Sequence, residues 1–452
     1  MRSLSTHFRN LLAVAVTLGA LALAAPAHAA LDIQHWTSDD GLDVYFVQSE
    51  TLPMVDLRLT FDAGSARDGD QPGLASLTSN LLSEGAGGLD AGEIARRFED
   101  QGARFSTSSG RDSASVSLRT LNEPDTMSAA VEALTTVVRE PDFPEAAVDR
   151  ERRRMLVSLR NSRNDPGSIA REAFWEAIYG DHPYASNPGG TEDSLGELNR
   201  DAVSAFFERY YVAETASLAI VGDISRAEAE TIADHLGGSL RQGERPDPIP
   251  EPEPTDKAGE TIHIPFSTNQ SHVLKGQIGY QRGDDDHFPL YVGNHILGGS
   301  GLVSRLAEEM REERGLSYSV GSRFQPMTRS GPFFVNTQIR ADRTEEALEV
   351  LDTTVRSLRD DGPGEDELRR SVRNITGSFP LQLDSNRGML GYVAVIGFHG
   401  LPLDYLDTFQ DNVEAVSADD IRDALQRRLD PDRFTTVIVG PQDEDGEEPE
   451  ED

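Results

Sequence analysis

The side chains able to attack a bond or hold a metal are few in this chain of 452 residues, which has 10 histidines and no cysteine. Without cysteine, a thiol nucleophile, a thiolate zinc site and a disulfide are excluded. The histidines form no H-x-x-x-H or H-x-x-E-H pair, and the closest two beyond the N-terminal segment, His287 and His295, fall at a predicted strand-to-helix boundary. The sequence therefore indicates no zinc site built from two histidines on one helix.

Arg311 and Tyr318 are a second set of candidates. A guanidinium keeps its charge, and a phenol is a directional hydrogen-bond donor. Arg311 is predicted to end a helix and Tyr318 to start a strand, which lets both side chains point into one cleft. Two alternatives stay open. One is a plain helix stop with a surface arginine. The other is Arg314 in place of Arg311, with a spacing to Tyr318 of four residues instead of seven.

The charge of the chain limits its partners. Asp and Glu total 78 against 42 for Lys and Arg, a net charge of -36. So acidic a chain repels phosphate backbones, so we expect no nucleic-acid partner. The acidity favours a solvated surface; adaptation to salt and selection of a cationic substrate remain alternatives.

The two ends of the chain have compositions of their own. Residues 1–29 resemble a secretory signal peptide, with Arg2 and Arg9, an apolar run over 11–25, and an Ala27-His28-Ala29 cleavage pattern. An uncleaved anchor is the alternative, but the run is short for a membrane span. We expect export across the inner membrane, to the periplasm in a Gram-negative source, with no membrane anchor. The acidic residues 442–452 are expected to be a disordered tail.

Between these ends the chain divides into two halves. Alternating prolines over 246–254 favour an extended linker, placed at 245–258, between domains at 30–244 and 259–441. Each half has the same predicted order: an alternating strand, a small-residue helix, a charged helix, a strand pair, a long helical stretch and a closing strand that ends in Val-Gly. This order predicts an α+β class, with two α/β sandwiches whose helices cover an antiparallel-rich sheet. A flexible linker would let the halves close on each other.

Several short motifs follow one another along the chain in a particular order. They are His182-Pro183-Tyr184, Gly190-Thr191, Phe206 to Tyr211 and Val221-Gly222-Asp223 in the first half, and Gly377 to Pro380, Asp384-Ser385-Asn386, Gly400 to Tyr405 and Val439-Gly440-Pro441 in the second. Over residues 35–441 this order resembles the M16 (pitrilysin/insulinase-like) peptidase family. The resemblance implies two homologous LuxS/M16 metallopeptidase-like domains in tandem, forming a clam-like half.

Active members of that family carry zinc on an inverted H-x-x-E-H motif with a more distant Glu. The corresponding lead here is Gly73-Leu74-Ala75, which places Ser76 and Asn80 at the two histidine positions and Ser79 at the position of the general base. The third ligand position is predicted near Ser158. None of these four side chains suits zinc, so no metal or other cofactor is expected in this chain.

The same resemblance gives Arg311 and Tyr318 a role, because they match a family pair that binds the scissile peptide and stabilises its oxyanion from the second half. Some bacterial members divide the zinc motif and the Arg/Tyr pair between two chains. The sequence therefore favours the non-zinc-binding subunit of a secreted heterodimeric peptidase, inactive alone, whose partner carries the intact motif and the zinc. The alternative is a non-catalytic peptide-binding or scaffold protein of the same fold. An active zinc peptidase with other ligands is disfavoured by the lack of a histidine pair.

Overall fold

The computed structural model describes residues 31–441, so the expected signal peptide and acidic tail lie outside the described residues. The strands are β1 (Gln34–Thr37), β2 (Asp43–Gln48), β3 (Met54–Phe61), β4 (Gly85–Ala86), β5 (Leu89–Asp90), β6 (Arg104–Ser109), β7 (Ala114–Leu121), β8 (Ala216–Gly222), β9 (Thr261–Pro265), β10 (Gln270–Ile278), β11 (Ser317–Phe324), β12 (Pro332–Arg340) and β13 (Thr435–Gly440). The α-helices are α1 (Leu74–Leu81), α2 (Ala91–Glu99), α3 (Pro124–Arg139), α4 (Glu145–Ser162), α5 (Pro166–Tyr179), α6 (Glu192–Glu197), α7 (Arg200–Tyr210), α8 (Arg226–Gly237), α9 (His287–Asn294), α10 (Arg305–Ala307), α11 (Thr344–Asp361), α12 (Glu365–Gln382), α13 (Asn386–His399), α14 (Tyr405–Ala415) and α15 (Ala418–Arg428). Two π-helical segments follow α9 and α10, at His295–Gly299 and Glu308–Glu313.

The first half is built on a six-stranded sheet in the order β1-β2-β8-β3-β7-β6. Along β7, buried and half-buried residues alternate, as a strand with one buried face requires. Leu57 and Leu59 of β3 lie opposite Leu118 and Val116 of β7 on that face, and all four are buried in the core of this half.

The second half repeats this plan with a five-stranded sheet in the order β11-β12-β10-β13-β9. Its strands correspond one by one to β6, β7, β3, β8 and β2, including the single parallel pair, which is β2 with β8 in the first sheet and β9 with β13 in the second. The tandem α+β architecture expected from the sequence is therefore confirmed.

Each half covers the free face of the other half's sheet with one helix. Helix α5, from the first half, contacts β10 and β13, and α13, from the second half, contacts β2, β3 and β8. Asp165 starts α5 by accepting a hydrogen bond from the Ser168 backbone N–H, with Pro166 as the first helical residue. Burial of Phe174 against the second sheet is worth about 2–3 kcal/mol. This exchange fixes the two sheets relative to each other.

The proline-rich segment 245–258 contains no helix or strand, as predicted, but it is held in place. Ile249 is buried in the cluster that contains Phe174, and its carbonyl accepts a 2.6 Å hydrogen bond from Arg329 Nε. The Asp247 carbonyl accepts from Arg67 Nη1 at 2.7 Å. The segment is therefore a strap bound to both halves rather than a flexible connection, while the domain boundaries themselves stay a prediction.

Over residues 31–441, no helix combines the length and the apolarity that a membrane span requires.

Candidate functional site

Helix α1 carries the three residues predicted to stand at the zinc-motif positions, and Asp68 fixes its start. Gly73 adopts a left-handed conformation with φ 93°. The Asp68 carboxylate then accepts hydrogen bonds from the backbone N–H groups of Gly73 and Ala75, both at 2.8 Å. Burial raises the pKa of Asp68 to about 7, while these two donors oppose the rise. The helix is thereby held at a defined depth in the first half.

The three α1 residues have different surroundings. Ser79 is 1% exposed, and its hydroxyl faces the fully buried phenol of Tyr211, although neither oxygen meets hydrogen-bond geometry with a described group. Burial raises the pKa of Tyr211, and the Ser79 hydroxyl opposes the rise. Ser76 and Asn80, one helical turn apart, are half-buried on one side of the helix. Ser79 is thus enclosed in the core, where it cannot activate a water.

Asn80 is held by a carboxylate that the sequence analysis did not identify. Its Nδ2 donates a 3.0 Å hydrogen bond to Oε1 of Glu151, on α4. The same oxygen accepts a 2.6 Å bond from Arg154 Nη2, one turn further along the helix. Glu151 is 3% exposed, whereas the Arg154 side chain is 68% exposed. The buried negative charge is therefore compensated by a guanidinium that reaches in from the surface.

Ser158, the predicted third ligand position, is exposed on α4 and lies two turns beyond Glu151. The residue opposite Asn80 is Glu151, and this corrects the expected register by two turns. A sequence signal for it exists: Glu151 falls in the apolar stripe of Val148, Met155 and Leu159, where only a carboxylate with buried partners is tolerated.

These residues do not fit the zinc ion that the resemblance associates with this position. One carboxylate is present, but it is neutralised by Arg154, and the other positions offer a hydroxyl and an amide instead of imidazoles. Over residues 31–441, no group of three or more His, Cys, Asp or Glu side chains is arranged to hold a metal ion. What the arrangement provides is a structural link between α1 and α4.

The turn that presents the second candidate set begins in the π-helical segment Glu308–Glu313. It ends at Gly315, which is left-handed with φ 59°, and the Leu316 N–H donates back to the Met310 carbonyl at 2.7 Å. Met310 and Leu316 are both buried, which anchors the turn from below. Such π segments frequently occur at functional sites, since they displace one residue from the regular helical position. Here the displaced turn contains Arg311.

Tyr318 stands at a β-bulge. The pairing of β11 with β12 shifts between Ser317 and Ser319, so Tyr318 has no partner on β12. The bulge is pinned by the Ser317 hydroxyl, which donates to the Ser319 carbonyl at 2.7 Å and also contacts Thr337 Oγ1 at 2.8 Å. The Tyr318 side chain is left 77% exposed. The bulge therefore directs a large aromatic side chain into solvent.

The structure brings Arg311 and Tyr318 together. The Arg311 guanidinium carbon lies 5.4 Å from the centre of the Tyr318 ring, within the range of a cation–π contact. Both arginines have a partner in their own segment: Arg311 Nε lies 3.5 Å from Glu312 Oε1, and Arg314, the competing candidate, is bound by the carbonyl and carboxylate of Glu309 and by Glu313, but of the two only Arg311 also contacts the Tyr318 ring. Arg311 is thus the arginine that accompanies Tyr318.

The two candidate sets do not form one site. Among the described residues, no hydrogen bond or ion pair joins Arg311 or Tyr318 to Ser76, Ser79 or Asn80. Of the pair, the Tyr318 ring is the part that faces solvent, while Arg311 is half-buried beside Glu312.

Comparisons with known proteins agree with this architecture. The sequence model of the insulinase family (peptidase family M16) matches residues 44–192, and that of the peptidase M16 inactive domain matches residues 197–375. The crystal structure of a peptidase M16 inactive domain from Pseudomonas fluorescens is 36% identical, with a TM-score of 0.88, over 91% of this chain and 98% of that one.

Two curated bacterial relatives are more distant. The uncharacterized zinc protease YmxG of Bacillus subtilis is 23% identical over 90% of this chain and 98% of its own length. The non-peptidase homolog YmxG of Helicobacter pylori is 24% identical over 88% of this chain and 91% of its own length. With a 36% identical relative covered almost completely, this chain belongs to the peptidase M16 family, and its residues 197–375 match the inactive-domain model of that family.

Proposed function

We propose that this chain is the non-zinc-binding subunit of a secreted heterodimeric M16 peptidase. It supplies Arg311 and Tyr318 to a partner that carries an intact H-x-x-E-H motif, and the pair of chains degrades peptides. The observation that carries the proposal is the contact between Arg311 and Tyr318, presented by a π-helical turn and a β-bulge, with the Tyr318 ring in solvent and Arg311 paired only with its surface neighbour Glu312 among the described carboxylates.

The chemistry of α1 supports the same division of labour. The first half offers neither a set of metal ligands nor a general base at the motif positions. These positions hold Ser76, Ser79 and Asn80, and the nearby Glu151 is neutralised by Arg154. An exposed aromatic side chain adds little to stability, so a purely structural role does not explain why Tyr318 is solvent-exposed beside Arg311.

In this proposal Arg311 and Tyr318 act on the substrate carbonyl. The partner's H-x-x-E-H residues would hold the zinc, which would supply the activated water, and the oxygen of the attacked carbonyl would gain negative charge. The Arg311 guanidinium, which stays protonated, and the Tyr318 phenol O–H then stabilise that charge. A periplasmic location, based on the signal-like residues 1–29, is part of the proposal.

The test is hydrolysis of a quenched fluorescent peptide by the purified mature chain, alone and with a candidate partner that has an intact H-x-x-E-H. We expect the chain alone to be inert and the mixture to be active. Arg311→Ala or Tyr318→Phe should lower kcat of the mixture by roughly 10²–10³, the usual effect of losing one oxyanion donor. Arg314→Ala is the matched control, because that guanidinium is bound to Glu309. Hydrolysis by the chain alone, or an active mixture indifferent to both variants, would overturn the proposal.

The second candidate is a non-catalytic peptide-binding or scaffold protein. It is favoured by the name of the Helicobacter pylori relative, a non-peptidase homolog. The same mixture separates the two: a scaffold forms the complex, but Tyr318→Phe leaves hydrolysis unchanged.

A further inference from the structure

A large cavity, here called the aromatic cavity, lies on the face of the second sheet beside α5. Its volume is about 940 Å³, within the range of sites for small ligands and peptide segments. It is lined by β10, β11 and β12, by α5 from the first half, and by α9, α13 and α14 from the second. Ser319, the neighbour of Tyr318, is part of its wall. The cavity therefore adjoins the Arg311/Tyr318 pair.

The charge of the aromatic cavity is opposite to that of the molecule. About one residue in six of the chain is Asp or Glu, yet the cavity lining contains neither. It contains three arginines, Arg171, Arg282 and Arg323. Within residues 31–441, none of the three has a carboxylate oxygen within 4.0 Å, whereas most other arginines of the chain are paired. This excess of positive charge favours an anionic ligand.

Arg282 is the most enclosed of these arginines. Its Nη2 donates to the Pro326 carbonyl at 3.1 Å, but its Nε is buried without a hydrogen-bond partner among the described residues. Asp284, two residues further on, is bound by Arg428 at 2.7 Å. Arg282 lines the cavity and has no carboxylate partner, so the charge of its guanidinium is available to an anionic ligand there.

Beside Arg282, three side chains form a chain of hydrogen bonds. His287 Nδ1 lies 3.0 Å from the Tyr280 hydroxyl, and His287 Nε2 lies 3.1 Å from the Tyr405 hydroxyl. Burial, and then the charge of Arg282, lower the pKa of His287 to about 4, so the imidazole is neutral and has one donor and one acceptor nitrogen. One phenol therefore donates to His287 while the other accepts from it. The accepting phenol keeps an O–H for which the described residues offer no acceptor.

The remaining wall combines aromatic side chains with uncharged polar ones. Tyr291 and Phe409 contact each other with ring centres 5.9 Å apart, and Phe409 stacks on Phe379 at 4.1 Å. The sheet contributes Phe334 together with the amide side chains of Asn336 and Gln338. A ligand that fills this space combines an anionic group with an apolar side chain and with amide groups that can pair with the sheet.

We propose that the aromatic cavity binds the C-terminal end of a peptide, with its carboxylate at Arg282 and an aromatic or large aliphatic last side chain against Tyr291 and Phe409. The proposal deepens the proposed function by naming the substrate class, and in that respect it rests on it. Binding to the isolated chain does not involve a partner, however, so failure of the subunit role and failure of this site are distinguishable.

The experiment is fluorescence anisotropy with the full mature chain and N-terminally labelled tetra-alanyl-phenylalanine, with no partner present. The free acid should bind, and its C-terminal amide should bind at least tenfold more weakly. A further peptide ends in phenylalanine amide and has glutamate as its second-to-last residue. It tests whether an internal acidic side chain replaces the terminal carboxylate. Replacement of the last phenylalanine by alanine should also weaken binding about tenfold.

Variants of the chain make the test specific. Arg282→Gln should lower affinity at least tenfold, and Arg323→Gln, which changes an exposed side chain, covers the case in which the first variant does not fold. The matched control is Arg387→Gln, an exposed arginine outside the aromatic cavity, which should change nothing. The proposal would be overturned if the free acid and the amide bound equally, or if the amide peptide with an internal glutamate bound more tightly than the free acid. It would also be overturned by unchanged affinity in both cavity variants or by no binding at all.

Discussion

Glu151 is the one carboxylate on the buried face of α4, and its neighbours on α1 are unsuited to a metal. Removal of a charge partner from a buried carboxylate is costly, so Arg154 and Asn80 stabilise the packing of α4 on α1 without any catalytic role. Glu151 therefore links α4 to α1 as a structural residue, although it lies opposite a zinc-motif position.

A double substitution tests this interpretation. Ser76→His with Asn80→His places two imidazoles one turn apart on the same side of α1, beside Glu151. We expect the variant to bind one zinc ion, measured by competition with a chelator, and to bind more tightly when Arg154→Ala frees the carboxylate. Adding Glu151→Gln should weaken zinc binding about tenfold or more, whereas Ser158→Ala should have no effect. Dependence on Ser158 instead would restore the register predicted from the sequence.

At the scale of single elements, α1 depends on its N-terminal anchor more than on its own residues. The helix has eight residues, too few for independent stability, and no side chain of its first turn caps it. The Asp68 carboxylate replaces that cap from outside the helix by accepting two backbone N–H groups.

Asp68→Ala should therefore lower the free energy of unfolding by about 1–3 kcal/mol, because it leaves two buried N–H groups without an acceptor. Urea unfolding monitored by circular dichroism measures the change. Asp70→Ala, at an exposed position two residues away, is the control and should stay within about 0.5 kcal/mol of the parent chain. Equal effects at both positions would show that Asp68 is not the anchor.

At the scale of the molecule, the strap 245–258 and the exchanged helices α5 and α13 join the two halves into one unit. Ile249 is the buried point of the strap, 4% exposed among residues of both halves. Arg329 donates to the Ile249 carbonyl and Arg67 to the Asp247 carbonyl, which binds the strap backbone to both halves.

Ile249→Ala should destabilise the whole chain by about 2–4 kcal/mol, as expected for a large-to-small change in a core. Thermal unfolding should remain a single transition. Leu52→Ala, at a side chain that is 49% exposed, is the comparison and should change little. If the strap were a free linker, Ile249→Ala would be as neutral as Leu52→Ala.

The acid stability of the molecule should depend on His399, a half-buried histidine at the end of α13. Burial, and then the charge of Arg282, lower the pKa of His399 from its ordinary 6.5 to about 4. Between these values the unfolded chain takes up the proton and the folded chain does not. Stability from neutral His399 is thus complete above pH 6.5 and is lost as the pH falls toward 4.

We therefore expect His399→Gln to flatten the fall in unfolding free energy between pH 7 and pH 5 by about 1–2 kcal/mol. The variant must be compared with the parent chain, because Asp68 contributes an opposite pH dependence. Its pKa is raised to about 7, so its contribution to the unfolding free energy increases as the pH falls over the same range. His263→Gln, at an exposed position on β9, is the control. Parallel pH profiles for His399→Gln and the parent chain would contradict the assignment.

The sequence by itself determined the α+β class, the tandem repeat, the order of the elements and the unsuitability of Ser76, Ser79 and Asn80 as zinc ligands. These follow from alternation along strands, from turn chemistry and from side-chain type, all of which are local. Only the tertiary structure decided which residue faces Asn80, because a shift of two turns along α4 keeps the same helical face and changes the partner from Glu151 to Ser158. The same is true of the strap, which proline content marks as extended but whose burial depends on Phe174 and Arg329 from distant segments. It also holds for the aromatic cavity, since Arg282, His287 and Tyr405 meet only when the second half is folded.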